Sequence, residues 1–290
     1  MDRLVLFCKS YDKDMLRARR MAESVALYNA DRLPLYMSVP AKDLRAFREC
    51  FGSIPCHFMT DEEVVAASAR VNGPLPETFS MHLMQQLVKL EFWRTGVCEN
   101  YLWLDSDGYF IREFREADFF ADDGTLLTVM NDGREFREYA VKHGKPQLIE
   151  DFERSSRNNQ SMFDRDGECY DFGPCPVLWS CRVLESFYVD YLKLRGQTIF
   201  EVLEHYHPDN ALYGEYLLYS KVIPINPIEP LFKVFHYSDQ FSEAQAMGEW
   251  DYTYARQGYF GVIIQSNWAR VETPKEGRWR KLAKLFRWGG

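Results

Sequence analysis

The chain opens with Leu4-Val5-Leu6-Phe7-Cys8, five apolar residues in a row that end at Lys9. An unbroken apolar run of that length reads as a strand buried on both faces. Between residues 12 and 28, Met15, Met21, Val25 and Tyr28 recur at close to helical spacing. Residues 35–39 read as a second strand closed by Pro40, and residues 42–50 as a short helix. Residues 56–59 read as a third strand, and Thr60-Asp61-Glu62-Glu63 after it as an N-cap with an acidic first turn. A helix over 81–94 and strands over 101–104 and 126–130 complete the first half. Strands alternating with helices imply right-handed crossovers and an α/β fold, a mostly parallel sheet flanked by helices. In such a sheet ligands sit at the carboxyl ends of the strands, where the strand order reverses. Beyond residue 140 the pattern loosens. Residues 150–168 are polar and read as an exposed loop or lid, residues 184–194 as a helix, and Pro224, Pro227 and Pro230 mark an extended stretch. No repeat or linker interrupts the chain, so residues 1–270 read as one domain with an elaborated C-terminal half.

Composition narrows the class. With 46% apolar and 16% aromatic residues among 290, the chain is too apolar for disorder and long enough to fold without disulfides. Seven cysteines, odd in number and without a Cys-x-x-Cys pair, point to free thiols in a reducing cytoplasm. The net charge of −8 argues against a nucleic-acid partner. That charge is unevenly spread, because residues 278–290 carry five basic and no acidic side chains, leaving −13 on the rest. On a helical wheel Trp279, Leu282, Ala283, Leu285 and Phe286 oppose Arg280, Lys281, Lys284 and Arg287. The tail over 271–290 therefore suits peripheral contact with an anionic membrane at its inner face, or docking on the acidic body. No apolar stretch approaches the roughly 20 residues that span a bilayer.

The sharpest chemical feature is Asp105-Ser106-Asp107-Gly108, directly after the apolar Tyr101-Leu102-Trp103-Leu104. Two carboxylates this close repel unless a cation lies beside them, and hard cations such as Mg²⁺ or Mn²⁺ take oxygen ligands. The same residues also suit a plain turn. Two further segments stand out, Gln85-Gln86-Leu87-Val88-Lys89-Leu90 and Tyr213-Gly214-Glu215-Tyr216. There is no Gly-x-Gly-x-x-Gly, Walker loop, His-Glu-x-x-His or Gly-x-Ser-x-Gly, so the matching oxidoreductase, kinase, zincin and hydrolase classes have no support.

With the Gln85–Leu90 segment before Asp105–Gly108 and Tyr213–Tyr216 after it, the three segments resemble GT-A-fold, nucleotide-sugar-dependent glycosyltransferases, and in particular a group of bacterial glycosyltransferase-like proteins, over residues 4–240. The resemblance implies a Rossmann-like nucleotide-sugar-binding half (1–130) and an acceptor half (131–270). It implies that Asp105 and Asp107, the Asp-x-Asp motif, hold Mn²⁺ or Mg²⁺, with Ser106 between them and His236 as a third protein ligand. Ser10, Tyr11 and Asp12 would meet the nucleotide, with Arg17 at a phosphate; an alternative makes Asp12 only a helix cap. Gln85, Gln86 and Lys89 share one helix face and would reach the donor, or form an ordinary polar face. Asp209 is the first candidate for the base that deprotonates the acceptor, and Glu215 the second. His205 and His207 could bind a metal, with a plain surface pair as the favoured alternative. The implied reaction is hexosyl transfer from a nucleoside diphosphate-sugar to a saccharide, for instance a lipid-linked glycan. A metal-dependent nucleotidyltransferase and a non-catalytic glycan- or membrane-binding protein remain as alternatives.

Overall fold

The computed structural model describes residues 1–206, 208–246 and 252–265. The central sheet is built from β1 (Asp2–Lys9), β2 (Leu35–Val39), β3 (His57–Thr60) and β4 (Cys98–Leu104), all parallel, in the order β3-β2-β1-β4. Helices α1 (Met15–Tyr28), α2 (Leu44–Phe51), α3 (Asp61–Asn72) and α4 (Met81–Glu91) are the crossovers. Leu4, Val5, Leu6, Phe7 and Cys8 are buried together, as a strand covered on both faces requires. Thr60 caps α3 as the sequence predicts: its Oγ1 accepts from Glu63 N at 3.1 Å, and Glu63 Oε2 accepts from Thr60 N at 2.6 Å. The stretch after β1 begins as a 3-10 turn over Asp12–Asp14 before α1 starts.

The structure departs from the sequence reading in two places. Residues 126–130 do not extend the central sheet. Only β6 (Thr128–Val129) is extended, and it pairs with β8 (Pro227–Ile228) in a separate two-stranded sheet. The fifth central strand is β7 (Val177–Ser180), which runs antiparallel to β4. Three apolar residues and a serine, flanked by Pro176 and a helix, carry no periodicity that identifies a strand. Between these lie α5 (Arg134–Lys142) and α6 (Pro146–Ser161), and the latter overlaps the stretch predicted as a loop. The inward face of α6 is made by Ser156, Asn159 and Gln160 rather than apolar residues, which removes the usual helical signal.

After β7 the chain is helical through α7 (Cys181–Ser186) and a π-type segment, Phe187–Leu192. It continues into α8 (Ile199–His205) and α9 (Asp209–Ser220). A three-stranded sheet joins β5 (Gly108–Phe110), β9 (Phe232–Phe235) and β10 (Gly261–Ile264) in the order β5-β10-β9. Helices α10 (Ser238–Ala246) and α11 (Ala255–Gly258) flank it. One apolar cluster extends from Leu4 to Ile263, so both halves are packed around a shared interior. All seven cysteines are free thiols. Among the described residues no helix is long and apolar enough to cross a membrane. The basic tail and His207 lie outside the described residues.

Candidate functional site

The chain builds outward from β1 through β2 to β3, then crosses back to place β4 on the other side of β1. This makes the β1/β4 boundary the switch point, and the space beyond the carboxyl ends of the two strands is the crevice in which such sheets bind ligands. Ser10-Tyr11-Asp12 follows β1 and Asp105-Ser106-Asp107 follows β4. By contrast, a hollow of about 710 Å³ opens at the opposite end of the sheet, beside Arg3, Cys98, Asn100 and Cys181. It lies at the amino ends of β1 and β4, away from these acids.

Asp105 to Gly108 forms a tight turn, with Gly108 N donating to Asp105 O at 3.2 Å. Gly108 starts β5 in close quarters, since a Cβ there would stand 3.1 Å from Ile263 Cγ1. Asp105, Ser106 and Asp107 are all half-buried. The turn is fastened by a residue the sequence does not single out, Cys175. Its Sγ accepts from Asp105 N at 3.1 Å and donates to Trp103 O at 3.3 Å. Burial, then the Asp105 charge, pushes the Cys175 thiol well up, which keeps the donating proton on sulfur. No sequence signal connects positions seventy residues apart.

Lys89 joins the parts. Its Nζ lies 3.5 Å from Asp209 Oδ2 and 3.8 Å from the centre of the Trp103 ring. Burial disfavours the ammonium, but Asp209 and Asp105 outweigh it, and the net shift of Lys89 is upward. Asp209 is pushed up by burial, with Lys89 opposing and Asp105 adding to the rise. The helix carrying Lys89 therefore links the Asp-x-Asp turn to the start of α9. Gln85 is half-buried; Gln86 is buried, 3.0 Å from His82, with Oε1 unbonded. Ser10 Oγ, Trp103 Nε1 and Asp209 Oδ2 also lack a hydrogen-bond partner among the described residues. Asp209 Oδ2 is held instead by the Lys89 charge, and the four atoms lie on β4, α4, α9 and the residue after β1, the elements that meet at the switch point.

The loop after β1 is held mostly by itself. Lys9 forms a buried ion pair with Asp61 at 3.1 Å, and Ser10 N donates to Ser38 O at 2.9 Å. Tyr11 is half-buried, and Asp12 is exposed with its backbone N on Asp43 Oδ2 at 3.2 Å. Asp12 makes no side-chain cap. Arg17 pairs with Asp14 at 2.6 Å.

The Tyr213-Gly214-Glu215-Tyr216 segment is a clamp on α9. Tyr213 Oη accepts from Ser180 N at 2.9 Å, and Tyr216 Oη meets Ser186 Oγ at 2.7 Å. Gly214 lets the Phe172 ring lie against the helix, where any Cβ would come within 2.2 Å of it. Glu215 is buried and gripped in two-point fashion by Arg165. The helix turns 100° per residue, so Glu215 faces well away from Asp209, six positions earlier. Of the two base candidates, Asp209 alone joins the Lys89–Asp105 group.

His236 follows β9. Strand β10 carries Ile264 beside Asp107, with Ile264 N donating to Asp107 O at 3.3 Å, and Phe235 lies on the other side of Ile264. Asp107 and His236 thus stand at the same end of this sheet, about 10 Å apart at two strand spacings. Burial, then Lys233, lowers the pKa of His236 and favours neutral imidazole, the form that binds metal. Its Nδ1 lies 3.3 Å from Gln265 Nε2. Among the described residues no three His, Cys, Asp or Glu side chains stand close enough to cage a metal by themselves. His205 Nδ1 is held by Glu201 O at 2.9 Å.

The fold can be compared with solved structures. Mouse xyloside xylosyltransferase 1 matches with a TM-score of 0.52 and 9% identity, over 93% of this chain and 100% of that one. The WbbM bifunctional glycosyltransferase matches with a TM-score of 0.51 and 9% identity, over 90% of this chain and 45% of that one. The architecture is accordingly α/β of the GT-A type, a mostly parallel sheet flanked by helices. No curated protein matches the sequence. The family described as a family of unknown function (DUF6492) matches residues 4–289, and the chain belongs to it.

Proposed function

We propose that the protein is a metal-dependent glycosyltransferase that moves a hexose from a nucleoside diphosphate-sugar to a saccharide hydroxyl. The observation that carries this reading is the buried Lys89–Asp209 ion pair at 3.5 Å, within electrostatic reach of Asp105 at the end of β4. The GT-A-type fold, shared with two glycosyltransferases, supports it.

The donor set fits a hard divalent ion. Asp105 and Asp107 offer half-exposed carboxylates and His236 a neutral imidazole, oxygen and nitrogen donors that suit such an ion. Mn²⁺ or Mg²⁺ held there would neutralise charge on the departing diphosphate. Lys89 keeps a fixed positive charge beside the same oxygens, and stacking on Trp103 holds its direction. Ser10, Tyr11 and Asp12 face the nucleotide, with Arg17 beside them. Asp209, whose affinity for a proton is raised by burial, receives the proton of the acceptor hydroxyl. The basic stretch 278–288 brings the enzyme to an anionic membrane surface carrying a lipid-linked acceptor; co-sedimentation with anionic vesicles, with and without that stretch, tests this part.

The decisive experiment screens nucleoside diphosphates with and without Mn²⁺ by thermal shift, then measures turnover of the matching nucleotide sugars. Stabilisation that needs the metal, release of nucleoside diphosphate, and loss of both in Asp105→Asn and Asp107→Asn are expected. Release of pyrophosphate instead would mark nucleotidyl transfer, and wild-type turnover in both variants would remove the metal assignment.

A further inference from the structure

Asp171, in the segment between α6 and β7, is a carboxylate that the mechanism above leaves unused. Its main chain is bolted to Asn131 by paired bonds of 2.8 and 2.9 Å, and Asn131 Nδ2 donates to Asp171 O and Gly173 O. Oδ1 accepts from Gly173 N at 2.9 Å, and Oδ2 has no hydrogen-bond partner among the described residues. Burial raises its pKa, and the Gly173 N–H is the opposing influence; no cation contributes. Asp171 is thus a rigidly held carboxylate with one oxygen to spare.

That residue lines a cleft together with Phe136, Tyr139, Phe232, His236 and Gln240. Gln240 Oε1 is engaged by His236 N at 2.7 Å and Tyr237 N at 3.2 Å, which leaves its Nε2 as a donor to the cleft. One acceptor and one donor between aromatic walls match a sugar hydroxyl, which both gives and takes a hydrogen bond beside C–H faces. The enclosed space is about 40 Å³. One water needs roughly 10–15 Å³ of space measured this way, so the cleft admits a hydroxyl or hydroxymethyl arm while the ring stays at the mouth. Charge restricts the choice further. Glu135, also on the wall, is paired with Lys233, whereas Asp171 has no cation, so an anionic sugar would meet an uncompensated carboxylate.

The cleft borders the crevice at three points. His236, on the wall, follows β9 at the same end of the sheet as Asp107. Pro174, on the wall, precedes Cys175, whose Sγ accepts from Asp105 N. A Cβ on Gly173 would come within 2.7 Å of Asn210 Nδ2, next to Asp209. We propose that this cleft is the acceptor subsite, that it takes the hydroxyl-bearing arm of a neutral glycoside, and that Asp171 receives that hydroxyl's hydrogen bond. The assignment rests on the glycosyl-transfer reading.

Asp171→Asn tests it, because the amide oxygen still accepts from Gly173 N while the free acceptor becomes an N–H donor. Saturation-transfer NMR on the full chain, with diamagnetic Mg²⁺ and the nucleoside diphosphate selected by thermal shift, reads binding of methyl β-glucopyranoside against methyl β-glucuronide. The expected result is transfer to the neutral glycoside, none to the glucuronide, and a signal at least about fivefold weaker in the variant. The melting temperature of the variant should be no lower than that of wild type, and its nucleotide-induced stabilisation should match wild type. Equal signals from the two proteins, equal signals from the two glycosides, or no signal from the neutral glycoside with wild type would overturn the assignment. A separate arm without glycoside reads nucleotide-induced stabilisation of wild type; its absence counts against the glycosyl-transfer reading instead.

Discussion

Asp209 and Asp171 are both pushed toward the protonated form by burial, yet the fold treats them differently. Asp209 begins a helix, faces Lys89 and shares that cation with Asp105. Asp171 sits in an irregular segment, is fixed by one backbone N–H and has no cation. A buried carboxylate with a countercharge is a structural debt as well as a reagent, because removing either partner strands the other. A carboxylate without one loses little when replaced by an amide of the same shape. The first belongs to the machinery that binds charge, the second to a surface that reads hydroxyls.

The strongest way to break this contrast is Lys89→Met. It leaves Asp105 and Asp209 without their cation and should cost about 3–5 kcal/mol of stability, read by denaturant unfolding, with donor turnover lost. Unchanged stability would show that the two acids do not depend on Lys89. Next comes Gly214→Ala, which drives a methyl group into the Phe172 ring. A loss of about 1–3 kcal/mol is expected from overpacking, with weaker donor turnover because α9 also carries Asp209; loss of activity without loss of stability would deny the clamp.

The smallest effect, and the sharpest for the comparison, concerns pH. Asp171 has a pKa above its ordinary 3.8 in the folded chain, so the native state holds its proton more tightly than the unfolded state. Its contribution to stability therefore falls as pH rises from 3.8 through the raised value, then levels off. Asp171→Asn removes that fall, so the variant should gain on wild type across this window and hold the gain at neutral pH. A difference curve that is flat with pH would contradict the burial of an unpaired carboxylate.

Much of the first half is legible in order along the chain. Leu4–Cys8 is apolar without interruption because it is covered on both faces, and Thr60 with Glu63 caps α3 through contacts three residues apart. The Asp105–Asp107 pair is visible for the same local reason. Segment α6 is not legible, because Asn159 and Gln160 face inward and bond to backbone, Gln160 Nε2 to Glu168 O among others, so polarity mimics a loop. Glu215 looks like a free acid until Arg165, fifty residues away, is found on it. Cys175 and Asp171 carry no local pattern at all.

By itself the sequence determined the alternation of strands and helices, the α/β class and the position of the carboxylate pair. Each depends on residues within a few positions of one another, where periodicity and capping act. Only the tertiary structure decided that β7 runs antiparallel beside β4, that Lys89 spans Asp105 and Asp209, and that Cys175 holds the turn. Those outcomes depend on which distant side chains share a low-dielectric interior, where a charge must find its partner whatever its place in the chain.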